Sequence, residues 1–173
     1  MGGRIEVRML RPDDDRSEFD SGNLDLDRFF RQYAGQNQFR HHIGATYVAR
    51  DEEKILGFVT VVAGHIEIED LPESRSRGLP HYPLPILRLA RLAVDRSAQG
   101  RGVGKRLLRA VFQISIDMAQ SVGCVGVVVD AKPDFVGFYK RIGFEPFSVI
   151  EGKLDSRPEP LPMFLPMRAM PIE

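Results

Sequence analysis

The sequence predicts a mixed α/β fold in which one twisted sheet of six to seven strands carries the helices. Three observations lead there. Short apolar runs of strand character recur seven times, and a long amphipathic helical pattern occupies residues 103–121. The chain has 173 residues of which 43% are hydrophobic, enough for one good core but short for two domains. Residues 1–173 are therefore expected to form a single domain.

Residues 5–10, Ile-Glu-Val-Arg-Met-Leu, alternate with period two as a half-buried strand does, and Pro12 ends the run. Leu24, Phe29, Phe30 and Tyr33 then recur at near-helical spacing, from a cap at Ser21 or Asn23 to about Asn37. Residues 45–50 and 55–68 read as two strands joined at the polar turn Asp51-Glu52-Glu53-Lys54. Residues 71–85 read as a loop, because Pro72, Pro80, Pro83 and Pro85 interrupt regular hydrogen bonding. Residues 86–94 form a strand, and the helix that follows at 103–121 has Val103, Leu107, Val111, Ile114 and Met118 as its apolar stripe. Gly123 stops that helix. Residues 125–129 have the continuous apolar character of a strand buried on both faces. Pro133 opens a short helix ending at Gly143, and strands at 144–150 and 162–167 close the sheet around a Pro-rich, charged connector at 151–161.

No apolar stretch approaches the ~18 residues of a membrane helix, and the polar amino terminus through Asp15 lacks the apolar centre of a signal peptide. A cytoplasmic protein is expected. Cys124 is the only cysteine, so neither an internal disulfide nor a cysteine metal cluster can form, and its apolar setting reads as core. Net charge is zero, which argues against a protein that coats nucleic acid. Yet Arg75, Arg77, Arg88, Arg91, Arg96, Arg101, Lys105, Arg106 and Arg109 face only one acid, Asp95, across the same stretch. The amino-terminal third is acidic by contrast, at Asp13, Asp14, Asp15, Asp25 and Asp27, and reads as solvated surface.

The basic stretch contains Gln99-Gly100-Arg101-Gly102-Val103-Gly104, set between a strand and the start of a helix. Three glycines at alternate positions let backbone N–H groups turn inward, and the helix adds its unpaired first-turn donors and positive dipole end. A diphosphate suits that concavity. A Walker A loop would need Gly at Gln99 and Ser or Thr at Arg106, and the dinucleotide pattern G-x-G-x-x-G is not matched. Some thirty residues later comes Phe138-Tyr139-Lys140-Arg141-Ile142-Gly143-Phe144.

In order, separation and strand context these two segments resemble the GNAT acetyltransferase superfamily, over roughly residues 5–167. The resemblance implies the GNAT fold, a mixed sheet splayed around acetyl-CoA and flanked by about four helices, with acetyl-CoA as cosubstrate and no metal. It implies that the backbone of Leu92, Ala93 and Val94 pairs with the pantetheine arm. It also implies that Gln99, Gly100, Arg101, Gly102, Val103, Gly104 and Lys105 take the diphosphate, and that Tyr139 is the general acid for the coenzyme sulfur. Many relatives place Asn near the start of the last helix. This chain has Lys132-Pro133-Asp134 there, and Lys132 is expected to reach a phosphate instead.

No carboxylate lies in residues 86–94, where several lysine-directed relatives carry a general base. A lysine amine is only ~0.1% neutral at pH 7.4, whereas an α-amine is roughly one-third neutral, so a site without a dedicated base suits an α-amine. Glu67 and Glu69 remain open as bases acting through water. The residues before the glycine turn point to an anionic acceptor, with Arg75, Arg77, Arg88 and Arg91 as contacts and Arg40, beside His41 and His42, extending the track. The loop at 71–85 is expected to rim the acceptor site.

The string Phe19-Asp20-Ser21-Gly22-Asn23-Leu24, then Phe29-Phe30, Gln36-Asn37, Leu79-Pro80-His81-Tyr82-Pro83-Leu84-Pro85 and the run Arg91 to Gly100, resembles the GNAT toxins of bacterial type II toxin–antitoxin modules. That resemblance implies acetylation of the α-amine of charged tRNA, a ribbon-helix-helix antitoxin as partner, and a homodimer. The residue pattern alone supports an amine acetyltransferase with a basic flank. It leaves open a protein or small-metabolite amine as acceptor, and a non-catalytic coenzyme A binder.

Overall fold

The computed structural model describes residues 4–71, 73–147 and 160–171. Its strands are β1 (Glu6–Met9), β2 (Ala45–Arg50), β3 (Ile55–Ile66), β4 (Leu84–Val94), β5 (Gly126–Ala131), β6 (Glu145–Pro146) and β7 (Leu161–Pro166). They hydrogen-bond in the order β1-β2-β3-β4-β5-β7-β6. The helices are α1 (Leu24–Arg28), α2 (Ala34–Phe39), α3 (Glu73–Ser76), α4 (Val103–Ser121) and α5 (Val136–Ile142). The expected mixed α/β architecture with seven strands is what forms. The chain divides into two compact units, Met1–Val62 with Leu89–Val111, and Ala63–Arg88 with Phe112–Glu173, so that β3, β4 and α4 each give one end to each unit.

In the first unit β1, β2 and β3 form an antiparallel meander, with Met9 opposite Tyr47 and Val48 opposite Phe58. Asn23 rather than Ser21 caps the first helix, its side chain accepting from the N–H groups of Asp25 and Leu26. The helix reaches Phe39, but its middle, Phe29–Tyr33, is a π turn closed by the Ala34 N–H on the Phe29 carbonyl. Neighbours on an α-helix point about 100° apart. The wider turn accommodates both Phe29 and Phe30 in the core, where they are 7% and 0% exposed. Phe30 stacks on Phe58 with centroids 4.3 Å apart, and Phe19 meets both rings edge-on at 4.9 and 5.5 Å.

In the second unit β7 pairs antiparallel with both β5 and β6. Ile66, Ile68, Leu71, Leu84, Ile86, Val128 and Phe164 form its core. Several boundaries differ from expectation, among them that of β5, which runs to Ala131. β3 stops at Ile66 because Glu67 and Asp70 bond each other's backbone N–H and close a 3-10 turn over Ile68–Asp70. The loop at 71–85 contains α3, and β4 begins two residues early at Leu84, where core burial outweighs the missing Pro85 donor while the Pro85 carbonyl accepts from the Val125 N–H at 2.9 Å. β6 is two residues long; positions 148–150 of the expected strand, and 151–159 of the connector, lie outside the described residues. Cys124 is buried, its thiol bonded to the Gly126 carbonyl at 3.3 Å, as a core cysteine should be.

Candidate active site

The glycine turn lies in the first unit and runs straight into α4. Gly100 and Gly102 have φ of 82° and 77°, a left-handed backbone that side chains rarely adopt. A Cβ on either would meet nothing within 4 Å. The glycines are therefore required for backbone conformation and leave open space over the turn. The first bond of α4 that spans the turn runs from the Arg106 N–H to the Gly102 carbonyl at 3.2 Å. The preceding amides, those of Val103, Gly104 and Lys105, are the orphan donors of a helix start. Gly104 is already helical. Arg101, Lys105 and Arg106 are exposed around it. This donor set and open space fit a diphosphate.

Residues distant in sequence brace the turn. Asp95, only 7% exposed, accepts from the Ser97 hydroxyl at 2.7 Å, the Ser97 N–H at 3.0 Å and the Asp20 N–H at 3.1 Å. Burial pushes its carboxyl up, but these bonds and the Lys54 charge outweigh that and hold it below the usual carboxylate range. In return the Arg96 N–H bonds the Asp20 carbonyl at 2.8 Å, and the Gln99 side-chain amide bonds the carbonyls of Ser21 and Val94, each at 3.1 Å. The Gln99 side chain thus holds the loop to its supports. Asp27, 1% exposed, accepts from Ser21, so the Phe19–Leu24 string acts as the buttress of the glycine turn.

Tyr139 lies in the second unit on α5, 5% exposed, edge-on to Phe138 and Phe144 with centroids 5.3 Å away in each case. α5 ends at Gly143, whose N–H bonds the carbonyls of Tyr139 and Lys140. Burial pushes the phenol well above its ordinary value, so Tyr139 keeps its proton at neutral pH. Lys132 is exposed at the turn that precedes α5, its carbonyl accepting from the Phe135 N–H.

The arginines before the turn have varied settings. Arg75 makes a two-pronged ion pair with Glu145 at 3.0 and 3.1 Å. Arg88 bonds Asp130 at 3.4 Å. Arg91 lies over the Phe29 ring at 3.8 Å, and burial lowers the pKa of its guanidinium. Arg77 and Arg40 are exposed, as are His41 and His42. Arg88 and Arg91 lie three residues apart on β4. Arg88 and Glu67 do come together: with Asp70, Asp130 and His65 they line an open cleft of about 470 Å³ in the second unit, where Ile66, Val128 and Phe147 add apolar wall. Glu69 is exposed and not among the cleft's lining residues.

Asp27, read from the sequence as solvated surface, is buried, and Asp20, Asp95 and Asp130 were not singled out there as working residues. The only hint was that a buried Asp needs several donors, and Ser97 two residues after Asp95 offered one. Among the described residues no group of three His, Cys, Asp or Glu side chains is placed to hold a metal ion, and no helix is long and apolar enough to cross a membrane.

Residues 42–146 match the family model of the acetyltransferase (GNAT) domain. The chain is 34% identical to a tRNA-acetylating toxin of Mycobacterium tuberculosis, over 84% of this chain and 87% of that one. Among solved structures it resembles AtaT complexed with acetyl-methionyl-tRNAfMet, at 25% identity over 96% of both chains with a TM-score of 0.83. It also resembles a mutant AtaT toxin bound to the C-terminus of the antitoxin AtaR and acetyl-CoA, at 26% identity over 95% and 94% of the two chains with a TM-score of 0.76.

Proposed function

Because the chain belongs to the GNAT acetyltransferases, in the family of the tRNA-acetylating toxins, we propose that it moves an acetyl group from acetyl-CoA to the α-amine of aminoacyl-tRNA and so arrests translation as the toxin of a toxin–antitoxin pair. The observation that carries this reading is the glycine turn: two left-handed glycines under open space at the start of a 19-residue helix. Bound there, the coenzyme supplies a thioester already activated for attack by an amine.

The chain's own residues do the rest. The amides of Gly100, Gly102, Val103, Gly104 and Lys105 hold the diphosphate with fixed donors, and the Arg101 and Lys105 side chains add charge, while the Arg101 N–H is taken by the Ala98 carbonyl. The backbone at Leu92, Ala93 and Val94 orients the acyl arm. Tyr139 Oη holds the proton that the departing sulfur needs, and burial keeps that proton in place until then. An α-amine is already substantially neutral near pH 7.4, so a dedicated carboxylate base on β4 is not required. Arg40, Arg75, Arg77, Arg88 and Arg91 are the acceptor-side contacts of this proposal, and Lys132 serves a coenzyme phosphate.

We take residues 1–173 as one catalytic domain, since β3, β4 and α4 run through both units. The partner is an antitoxin of the ribbon-helix-helix class, and the active form is a homodimer in the cytoplasm. The solved relative that carries the C-terminus of its antitoxin supports an antitoxin as partner.

Incubation with charged tRNA and labelled acetyl-CoA tests the reading. Label should appear on the aminoacyl group, and the rate should fall steeply as salt screens the phosphate contacts. Absence of labelled aminoacyl product from every charged tRNA would refute it.

A further inference from the structure

In an α-helix the Ala34 N–H would bond the Phe30 carbonyl, four residues back. In the first unit it reaches one residue further, to Phe29, and the Phe30 carbonyl accepts from Arg16 Nη1 at 2.8 Å. Gly35 makes room for that guanidinium, since a Cβ at position 35 would lie 2.9 Å from Arg16 Nη2. Arg16 is half-buried, and burial pulls the pKa of its guanidinium down. A desolvated charge and a glycine inside α2, where glycine is otherwise a poor helix former, thus both serve the π turn. What the turn sets in place is Phe29, 7% exposed, with Phe58 at 6.3 Å on one side and Arg91 over its ring at 3.8 Å. Ala93, two residues beyond Arg91 on β4, belongs to the same core cluster as Phe29, Phe30 and Phe58. A ring face attracts a cation but offers no lone pair, so the five N–H donors of Arg91 stay available. Among the described residues no hydrogen bond or ion pair engages them.

We propose that Arg16, seated in the notch of Gly35, is a positioning residue: it holds the π turn that keeps Phe29 beneath Arg91, and so presents the Arg91 guanidinium to a phosphate oxygen of a bound ligand. Closing the turn to an α-helix would rotate Phe29 against α2 by roughly 100° and take it from beneath Arg91. The guanidinium fork matches phosphate oxygens in shape, and its weak hydration suits a half-buried place on a ring. Burial already pulls the Arg91 pKa down, and a bound anion offsets that. The choice of phosphate rests on the acyl-transfer reading above, in which coenzyme and acceptor both carry one; the link from Arg16 to Arg91 does not.

The test is a double-mutant cycle read by two binding measurements, anisotropy of labelled bulk tRNA across a salt series and calorimetry of acetyl-CoA. Arg91→Met should weaken the ligand whose phosphate it holds by about tenfold. If that ligand is tRNA, the salt slope should also fall by about one. Arg16→Met should weaken the same ligand by about threefold, and the double variant should bind no more weakly than Arg91→Met alone. Gly35→Ala displaces the Arg16 guanidinium while favouring the helix, so it should match Arg16→Met in affinity without lowering the melting temperature. That variant keeps the test decisive should Arg16→Met fold poorly. Whichever ligand weakens identifies the source of the phosphate. If Arg91→Met weakens neither ligand, or if the effects at Arg16 and Arg91 simply add, the proposal is overturned. Changes at Arg16 and Gly35 that move only the melting temperature overturn it too. A protein that shows the coupling yet acetylates no charged tRNA overturns the acyl-transfer reading and leaves the positioning role standing.

Discussion

The glycine turn and the Arg88 cleft are built from different kinds of polar group. In the turn, donors are backbone amides aimed by two left-handed glycines, and a buried carboxylate with three hydrogen bonds locks the supports. In the cleft the polar groups are side chains, among them the solvent-exposed ion pair of Arg88 and Asp130 at 3.4 Å. Exposed pairs of this kind contribute ~0–1 kcal/mol, so one can be exchanged with little harm to folding. Backbone donors cannot be exchanged without refolding the loop. The turn is thus built to stay constant, whereas the cleft is built where substitution is cheap in stability.

Tyr139→Phe separates chemistry from binding and carries the largest expected effect. The ring contacts to Phe138 and Phe144 survive, so the fold and acetyl-CoA affinity should persist while kcat falls by roughly 10²–10⁴. Calorimetry for the coenzyme and single-turnover rates for transfer measure the two. Since burial raises the phenol pKa, the wild-type rate should also show no loss from its ionisation below pH 10. Unchanged turnover in the variant would reduce Tyr139 to a core residue and remove the chemical half of the comparison.

Gly102→Val tests the backbone side. A left-handed conformation costs a residue with a Cβ ~1–2 kcal/mol, and more when it is β-branched, so acetyl-CoA should bind about tenfold more weakly or worse. Arg77→Ala, at an exposed position outside the turn, should leave that affinity unchanged. If both substitutions weakened acetyl-CoA equally, the division of labour between the two regions would fail.

What the sequence disclosed follows the same division. Strand periodicity, the α4 stripe and the glycine turn are local patterns, and each was legible within a dozen residues or so. The place of Tyr139 near the end of α5 was legible because Gly143 fixes where that helix stops. The π turn at Phe29–Tyr33 was not, since the spacing of Leu24, Phe29, Phe30 and Tyr33 is near-helical with or without an extra residue in the turn. The settings of the arginines were hidden for a tertiary reason: a count of neighbouring acids finds one, yet Arg75 meets Glu145 across 70 positions and Arg88 meets Asp130 across 42. Asp95 likewise owes its role to Asp20, 75 positions upstream. Charge partners that distant leave no trace in local spacing.

Asp95→Asn gives the smallest expected effect and the finest test of the brace. An amide in place of the carboxylate presents an NH₂ to donors that need an acceptor, which should cost ~1–3 kcal/mol of stability. If the brace positions the glycine turn, KM for acetyl-CoA should rise a few-fold with kcat nearly unchanged. A purely structural Asp95 would lower the melting temperature and leave KM alone. The pH dependence gives a second readout. The folded-state pKa of Asp95 lies below its ordinary value near 3.8, so the stability it contributes is present above that pH and is lost as pH falls through the folded value. The stability gap between wild type and Asp95→Asn should therefore be widest near neutrality and close in acid below pH 4. A gap that stayed constant down to acid pH would mean that the ionised carboxylate does not hold the turn.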